Sequence, residues 1–435
     1  MTVPTVTGGT LRVEPASSVR GRVRVPGDKS ISHRYAMLGA IARGDTTVTG
    51  LSPGADVAAT LACLGALGVA VEALDYGSVR IAGRGRGALR PPPGPLDAAN
   101  SGTTLRLLAG LLAGCPFPVT LTGDASLRRR PMQRVVDPLR AMGAAVSSDD
   151  GCPPITITGG RLHGIRWRSP VASAQVKSAI LLAGLCAEGR TEVVEPAPTR
   201  DHTERAFPLF GLHADTRGLV VGVEGGQHAA APTAVLNVPG DPSSAAVWAA
   251  AAAALPGSDV RIEEVCLNPR RLGFAGALER MGARITTDIQ SEAAGEPRGW
   301  LHVSHGDPRP TVIDPQEVPD LIDELPVLAA VASLGGRLEV SGAGELRVKE
   351  SDRISALVAG LRALGVDAEE RPDGFVVRGT HRPVGGVVDA AGDHRLVMAF
   401  AIVGLGASGP TTITGADAVT VSYPGFDRQL GALRT

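Results

Sequence analysis

Only three lysines stand in this chain, Lys29, Lys177 and Lys349, against 40 arginines. Where nearly every cation is a guanidinium, a lysine marks a place for a compact ammonium that can also give up its proton. Lys29 lies in Val25-Pro26-Gly27-Asp28-Lys29-Ser30-Ile31-Ser32-His33-Arg34. A short strand, residues 23–25, runs there into a helix predicted to open near Lys29 or Ser30. The free N–H groups of a helix start attract anions. Ser30 and Arg34, four residues apart, share a face, so Lys29, Ser30 and Arg34 could hold a carboxylate or a phosphate. Lys177 follows Ser173-Ala174-Gln175, whose hydroxyl and amide at the start of a second helical run suit a phosphate or a polyol. Lys349 belongs to the densest segment, Leu346-Arg347-Val348-Lys349-Glu350-Ser351-Asp352-Arg353. On a helix, Arg353 would meet Lys349 at i,i+4 and Glu350 at i,i+3. A carboxylate between two cations can take and return a proton while anions bind beside it; the plain alternative is a surface ion-pair ladder.

Other segments carry weaker signals. Asn100-Ser101-Gly102-Thr103 is capping material, and Gly102 permits close approach of the backbone to a ligand. Arg128, Arg129 and Arg130, with Pro131 after them, are costly together unless solvated or facing an anion. Thr199-Arg200-Asp201-His202 reads as a further cap. Asp323 opens an apolar helix, where the dipole alone favours an acid, and reads by itself as a solvated carboxylate. Gly392-Asp393-His394-Arg395 sets a His and an Arg at the mouth of a buried helix. Gly83-Arg84-Gly85-Arg86-Gly87 looks like a nucleotide loop, but prolines 91–93 follow in place of a helix, so it reads as a turn.

These residues are set in a framework that repeats along the chain. Val25-Pro-Gly-Asp recurs as Val238-Pro-Gly-Asp, an offset of 213 residues. A helix-end phrase with glycine at its centre recurs at Gly68, Gly143, Gly211, Gly282, Gly365 and Gly431, with spacings of 75, 68, 71, 83 and 66. Three such units match the larger offset, which predicts six α/β units grouped three and three. The first domain is expected at 25–240 and the second at 1–24 plus 241–435, discontinuous because the N-terminal strand would pair with the second half. The expected hinges lie near 24–26 and 238–241, with ligands expected in a cleft between two such globules.

Taken together, the motifs resemble those of the 5-enolpyruvylshikimate-3-phosphate (EPSP) synthases, and among them the class II branch. The resemblance covers essentially the whole chain through ProGlyAspLysSerIleSerHisArg, AsnSerGlyThr, ArgProMet, SerAlaGlnValLysSer, ThrArgAspHisThr, ArgValLysGluSerAspArg and AspHisArg. It implies an α/β fold of two domains, each of three βαβαββ units. It implies transfer of the enolpyruvyl group of phosphoenolpyruvate to the 5-hydroxyl of shikimate 3-phosphate, with release of phosphate, on the route to chorismate and the aromatic amino acids. By residue, it implies that Lys29, Ser30, Arg34, Ser173, Ala174, Gln175, Arg200, Asp323 and Lys349 bind shikimate 3-phosphate. Lys29, Gly102, Arg130, Gln175, Arg353 and Arg395 would bind phosphoenolpyruvate. Asp323, Glu350 and Lys29 would be catalytic, with Asp323 serving the hydroxyl and Glu350 the carbon proton. No metal or organic cofactor is expected, since fixed cations can stabilise the charge that develops. One position departs from the pattern: near Val421, shortly before the Tyr423-Pro424 tail, many members carry a lysine. Gly102 in the AsnSerGlyThr loop further implies sensitivity to glyphosate, because tolerant class II members carry alanine there.

Composition narrows the alternatives. The formal charge is −1 and aromatic residues make up 3%, which opposes a nucleic-acid surface or a phospho-ligand or RNA-binding scaffold on the same repeats. A UDP-N-acetylglucosamine enolpyruvyl transferase is disfavoured because Ser30 replaces the asparagine of that family and the loop before Arg130 lacks a cysteine. Five scattered cysteines indicate neither zinc nor disulfides. No apolar run is long enough to span a bilayer, and the N-terminus lacks a signal-peptide pattern. A cytoplasmic monomer acting on small molecules, with no nucleic-acid or membrane partner, is the expectation.

Overall fold

Every sheet of this protein is built by the same rule. In the computed structural model, which describes residues 6–380 and 382–434, six four-stranded sheets form. Each sheet has one parallel pairing, made by an edge strand, and in three of them the strands run first, second, fourth, third in chain order, the parallel pairing followed by two antiparallel ones. The sheet of Leu96–Asp97, Pro118–Thr122, Cys152–Thr158 and Ala145–Asp149 shows it plainly. The parallel pairing requires a crossover and the antiparallel ones permit tight turns. Helices therefore alternate with hairpins, giving the α/β units.

The chain divides into two compact units. One comprises Gly27–Val238 with Ala293–Glu296; the other comprises Met1–Pro26, Pro239–Glu292 and Pro297–Thr435. Residues 1–5, 381 and 435, which the sequence-based domain ranges include, lie outside the described residues. The N-terminal segment serves the second unit twice. Arg20–Arg24 pairs in parallel with Asp259–Cys266, placing Val23 beside Ile262. Thr10–Val13 pairs antiparallel with Thr411–Thr414 and so completes the last sheet.

The unit containing Gly27–Val238 holds helices α1 (Lys29–Ile41), α2 (Ala55–Ala66), α3 (Gly102–Leu112), α4 (Gln133–Ala141), α5 (Ala174–Gly184) and α6 (His202–Ala206). The other holds α7 (Pro242–Ala254), α8 (Gly273–Arg280), α9 (Val318–Leu321), α10 (Leu325–Ser333), α11 (Arg353–Ala363), α12 (His394–Gly406) and α13 (Phe426–Leu433). Helices α7 and α10 are buried along their whole length, and α1, α3, α5 and α12 nearly so. Helices apolar on every side belong inside a layer of others. Their alanines and glycines admit close packing: a Cβ on Gly110 of α3 would lie 2.1 Å from the carbonyl oxygen of Ala179 in α5.

The repeated glycines explain most of the periodicity. Gly68, Gly143, Gly211, Gly282 and Gly365 all have positive φ, between 69° and 108°, the left-handed step that ends a helix. Gly431 differs: it lies within α13, so the sixth phrase is helical sequence, not a helix end. The two Val-Pro-Gly-Asp phrases each end on the residue that caps a buried helix. Asp28 accepts a hydrogen bond from the N–H of Ile31, and Asp241 from that of Ser243.

Candidate functional site

The sequence-predicted residues fall into two clusters, one in each unit. In the first unit, α1, α3 and α5 all begin with motif residues. Lys29 is the first residue of α1, and its Nζ lies 2.8 Å from Asp56 Oδ2 in the first turn of α2. Asp56 carried no signal in the sequence, since an acid in a first turn is expected from the dipole alone. Arg34 is 4% exposed. It donates to Thr203 Oγ1 at 2.7 Å, Ser178 Oγ at 2.7 Å and the Ser30 carbonyl at 2.9 Å. Burial lowers the pKa of this guanidinium to about 10, although the nearby Glu204 acts in the opposite direction. Arg200 stands half-buried just before α6, near enough to Arg34 for the like charges to be felt.

At the start of α3, Ser101 caps the helix by accepting from Thr104 N, and Gly102 is its first residue. Arg130 donates to Asn100 Oδ1 at 2.5 Å and to Ser126 Oγ at 3.3 Å, so it is tied to the loop before Gly102. At the start of α5, Ser173 is the cap and Ala174 and Gln175 follow it. Gln175 bridges the two helices: its Nε2 donates to Thr103 Oγ1 at 2.8 Å and its Oε1 accepts from Arg106 Nη1 at 2.7 Å. Arg106, three residues beyond Thr103, carries no signal of its own in the sequence. The structure sets it between Gln175 and Gly102, where a Cβ would come within 2.8 Å of its Nη1.

Beneath these residues runs a buried polar chain. His33 Nδ1 and Thr60 Oγ1 lie 2.7 Å apart, as do Thr60 Oγ1 and Thr104 Oγ1. Thr104 Oγ1 in turn reaches Ser101 Oγ at 2.7 Å and the Asp56 carbonyl at 3.2 Å. The chain thus ties the helix of Lys29 to the cap of Gly102 and to the backbone of Asp56. Burial holds the His33 imidazole neutral and lowers its pKa to about 3.

Lys177 does something else. It is 2% exposed, with Nζ 2.9 Å from Glu195 Oε2 and 2.7 Å from Glu204 Oε1. A buried ammonium needs such partners, and this one braces α5 against its neighbours.

In the second unit, Arg353 is the centre. It is 1% exposed and its Nε donates to Asp393 Oδ2 at 2.7 Å. Its Nη2 donates to Glu350, and its Nη1 lies 3.6 Å from Asp323 Oδ1. Burial acts to strip its proton, but Asp393, Glu350 and Asp323 outweigh that and hold the pKa above its ordinary value. Arg395 donates to the Asp323 carbonyl at 2.9 Å, and its Nη2 stands 3.8 Å from Asp323 Oδ2. Asp393 is wholly buried, caps α12 and also accepts from Ser351 Oγ at 3.1 Å. Asp323 and Glu350 keep partial access to solvent, at 17% and 20% of their side chains.

Helix α11 begins at Arg353 with Asp352 as its cap, so Lys349 and Glu350 precede the helix. The Glu350–Arg353 pair is made across the loop, and no helical spacing links Lys349 to Arg353. Lys349 is half-buried at the end of the turn Gly344–Val348. Asp323, read as a solvated carboxylate, instead faces two guanidiniums. Val421 ends the turn Ala416–Val421.

Chemically, each cluster presents cations and hydrogen-bond donors suited to small anions, and the second adds two accessible carboxylates able to move protons. Known proteins match along nearly the whole chain. The family model described as EPSP synthase (3-phosphoshikimate 1-carboxyvinyltransferase) matches residues 13–430. A 3-phosphoshikimate 1-carboxyvinyltransferase of Desulforudis audaxviator is 49% identical over 433 residues, covering 98% of this chain and 99% of its own. The protein of that name from Acidithiobacillus ferrooxidans is 51% identical over 415 residues, covering 95% of each. A solved EPSP synthase from Acinetobacter baumannii superposes with a TM-score of 0.85 at 41% identity, covering 98% of each chain.

Proposed function

We infer the roles of these residues from one premise: the chain belongs to the EPSP synthase family, the 3-phosphoshikimate 1-carboxyvinyltransferases. Its reaction transfers the enolpyruvyl group of phosphoenolpyruvate to the 5-hydroxyl of shikimate 3-phosphate and releases phosphate. Shikimate 3-phosphate falls to Lys29, Ser30, Arg34, Ser173, Ala174, Gln175 and Arg200, with Asp323 and Lys349. Phosphoenolpyruvate falls to Gly102, Arg130, Gln175, Arg353 and Arg395, with Lys29 serving both substrates. Arg34 supports its share through the hydroxyls and carbonyl it holds, since its guanidinium is buried.

Addition needs a proton taken from the hydroxyl and another delivered to the methylene carbon; elimination reverses both demands. Asp323 takes the hydroxyl proton. Glu350 delivers and later recovers the carbon proton, and Lys29, held by Asp56, adds a compact positive charge. The observation that supports this division is the Arg353 cluster, where one buried cation stands against two carboxylates that solvent still reaches. Within it, Asp393 answers the Nε edge of Arg353 and leaves the Nη edge to the carboxylates and an incoming anion. The catalyst acts as a monomer without a metal or organic cofactor.

The test is phosphate release from shikimate 3-phosphate plus phosphoenolpyruvate, with each substrate omitted in turn and the product identified by mass. Release that continues without shikimate 3-phosphate would sink this reading.

A further inference from the structure

The Arg84–Gly87 stretch, to which the proposed reaction assigns no role, lines a cavity of about 420 Å³. The cavity lies wholly within the unit of Gly27–Val238, at the ends of α1, α3 and α5 remote from their motif-bearing starts. Arg43, Arg84 and Arg86 line it, and Ile41, Pro116 and Leu185 add apolar surface. Cys115 and Cys186 also line it, and no lining residue is an acid. Gly114 keeps the thiol of Cys186 in place, because a Cβ there would lie 2.3 Å from its Sγ.

Arginines beside helix ends often serve only as caps. Here the helix-end carbonyls are largely answered without them. Gly39 O accepts from Ala42 N, Ala42 O from Gly85 N, Leu112 O from Cys115 N and Ala183 O from Cys186 N. Only Arg86 acts as a cap, donating to Leu182 O at 2.9 Å and to Cys186 Sγ at 2.7 Å. Arg84 pairs with Asp45 at 2.9 Å, but both side chains are at least half exposed, and such pairs are weak. The Arg43 guanidinium makes no hydrogen bond or ion pair among the described residues, and its stem packs over Gly85. The Arg43 guanidinium, and the nitrogens of Arg84 other than the Nη1 that donates to Asp45 and to the Gly83 carbonyl, therefore remain for a ligand above an apolar, sulfur-containing surface.

We propose that this cavity is a second ligand site, separate from the substrate residues, that binds a planar aromatic carboxylate. Arg43 and Arg84 take the carboxylate, for which the planar guanidinium is the matching donor. The ring lies against Pro116 and the accessible edges of Ile41 and Leu185, beside the sulfur of Cys186, a favourable contact for an aromatic edge. The volume falls in the range of small-molecule pockets.

The probe is 2-naphthoate on the full chain, read by calorimetry, with 2-naphthalenemethanol supplying the ring without the charge and acetate the charge without the ring. A second readout in the wild type is the rate of Cys186 alkylation by iodoacetamide, followed by mass spectrometry. Naphthoate is expected to bind, to slow Cys186 alkylation, and to do both with shikimate 3-phosphate and phosphoenolpyruvate present. The pair Arg43→Gln and Arg84→Gln, with phosphate release unchanged, should bind it about tenfold more weakly or worse, the loss of one charge-assisted hydrogen bond. The proposal is overturned by absence of binding, by equal binding of the alcohol, by undiminished binding in the variant, or by competition with the substrates. Unprotected Cys186 in the wild type overturns it even where the variant fails to fold.

Discussion

Gly102→Ala tests how the start of α3 shapes its ligand site. The added methyl would lie 2.8 Å from Arg106 Nη1 and 3.6 Å from Arg130 Nη1. The first distance is too short to keep, and the backbone of a helix start cannot give way easily, so the end of Arg106 must move. That end donates to Gln175 Oε1 at 2.7 Å. Weakening a hydrogen bond from a charged donor costs about 1.5–3 kcal/mol when it is lost outright. A partial loss of about 1.4 kcal/mol is tenfold in affinity. The KM for phosphoenolpyruvate is thus expected to rise by up to about tenfold. Glyphosate, the phosphoenolpyruvate-competitive inhibitor that the family resemblance implies, should suffer more, because the methyl intrudes where the shorter substrate can still adjust. The assay is the inhibition constant and the KM for wild type and variant, measured by phosphate release at saturating shikimate 3-phosphate. Equal rises in both constants would refute selective intrusion. A wild type that is already tolerant would show that positions such as Val421 shape the pocket more than Gly102 does.

Asp323→Asn and Glu350→Gln should each lower turnover by roughly 10²–10⁴-fold while substrate binding, read by calorimetry, changes much less; unaltered turnover in both would remove them from proton transfer. Lys29→Arg should lose most activity, because the larger guanidinium must fit against Asp56 where Nζ now sits 2.8 Å away; near-normal turnover would show that charge alone suffices. Thr60→Val should destabilise the protein by about 1–3 kcal/mol in denaturant unfolding, since it breaks the chain between His33 and Thr104, with recovery in Thr60→Ser; wild-type stability in Thr60→Val would contradict this. His33 has a pKa of about 3 when folded against 6.5 for the ordinary imidazole, so the unfolded chain binds a proton there that the folded chain refuses. Stability is therefore lost as pH falls from 6.5 towards 3, by up to about 1.4 kcal/mol per unit from this group. His33→Gln should show a shallower decline over the same window, and an identical pH profile would argue against a buried neutral imidazole.

Residue type and spacing specify what is local. Asp28, Ser101, Ser173, Asp241, Asp352 and Asp393 cap their helices through backbone N–H groups two or three residues on, so type and spacing within a few positions suffice. The positive-φ glycines at 68, 143, 211, 282 and 365 mark repeated helix ends for the same reason, steric and local. Gly431 shows the limit, since the same phrase sits inside α13. The family motifs carried the candidate residues, but not what each side chain touches. Only the tertiary structure decided that Lys29 meets Asp56, that Arg106 stands between Gln175 and Gly102, and that Lys177 is a buried brace between Glu195 and Glu204. The same holds for Asp323, which faces Arg353 and Arg395 where its helix position alone suggested water. These partners lie from 18 residues apart, for Lys177 and Glu195, to 72, for Asp323 and Arg395. No periodicity encodes such pairings; they form when separate buried helices pack side by side and leave each polar group no water to turn to.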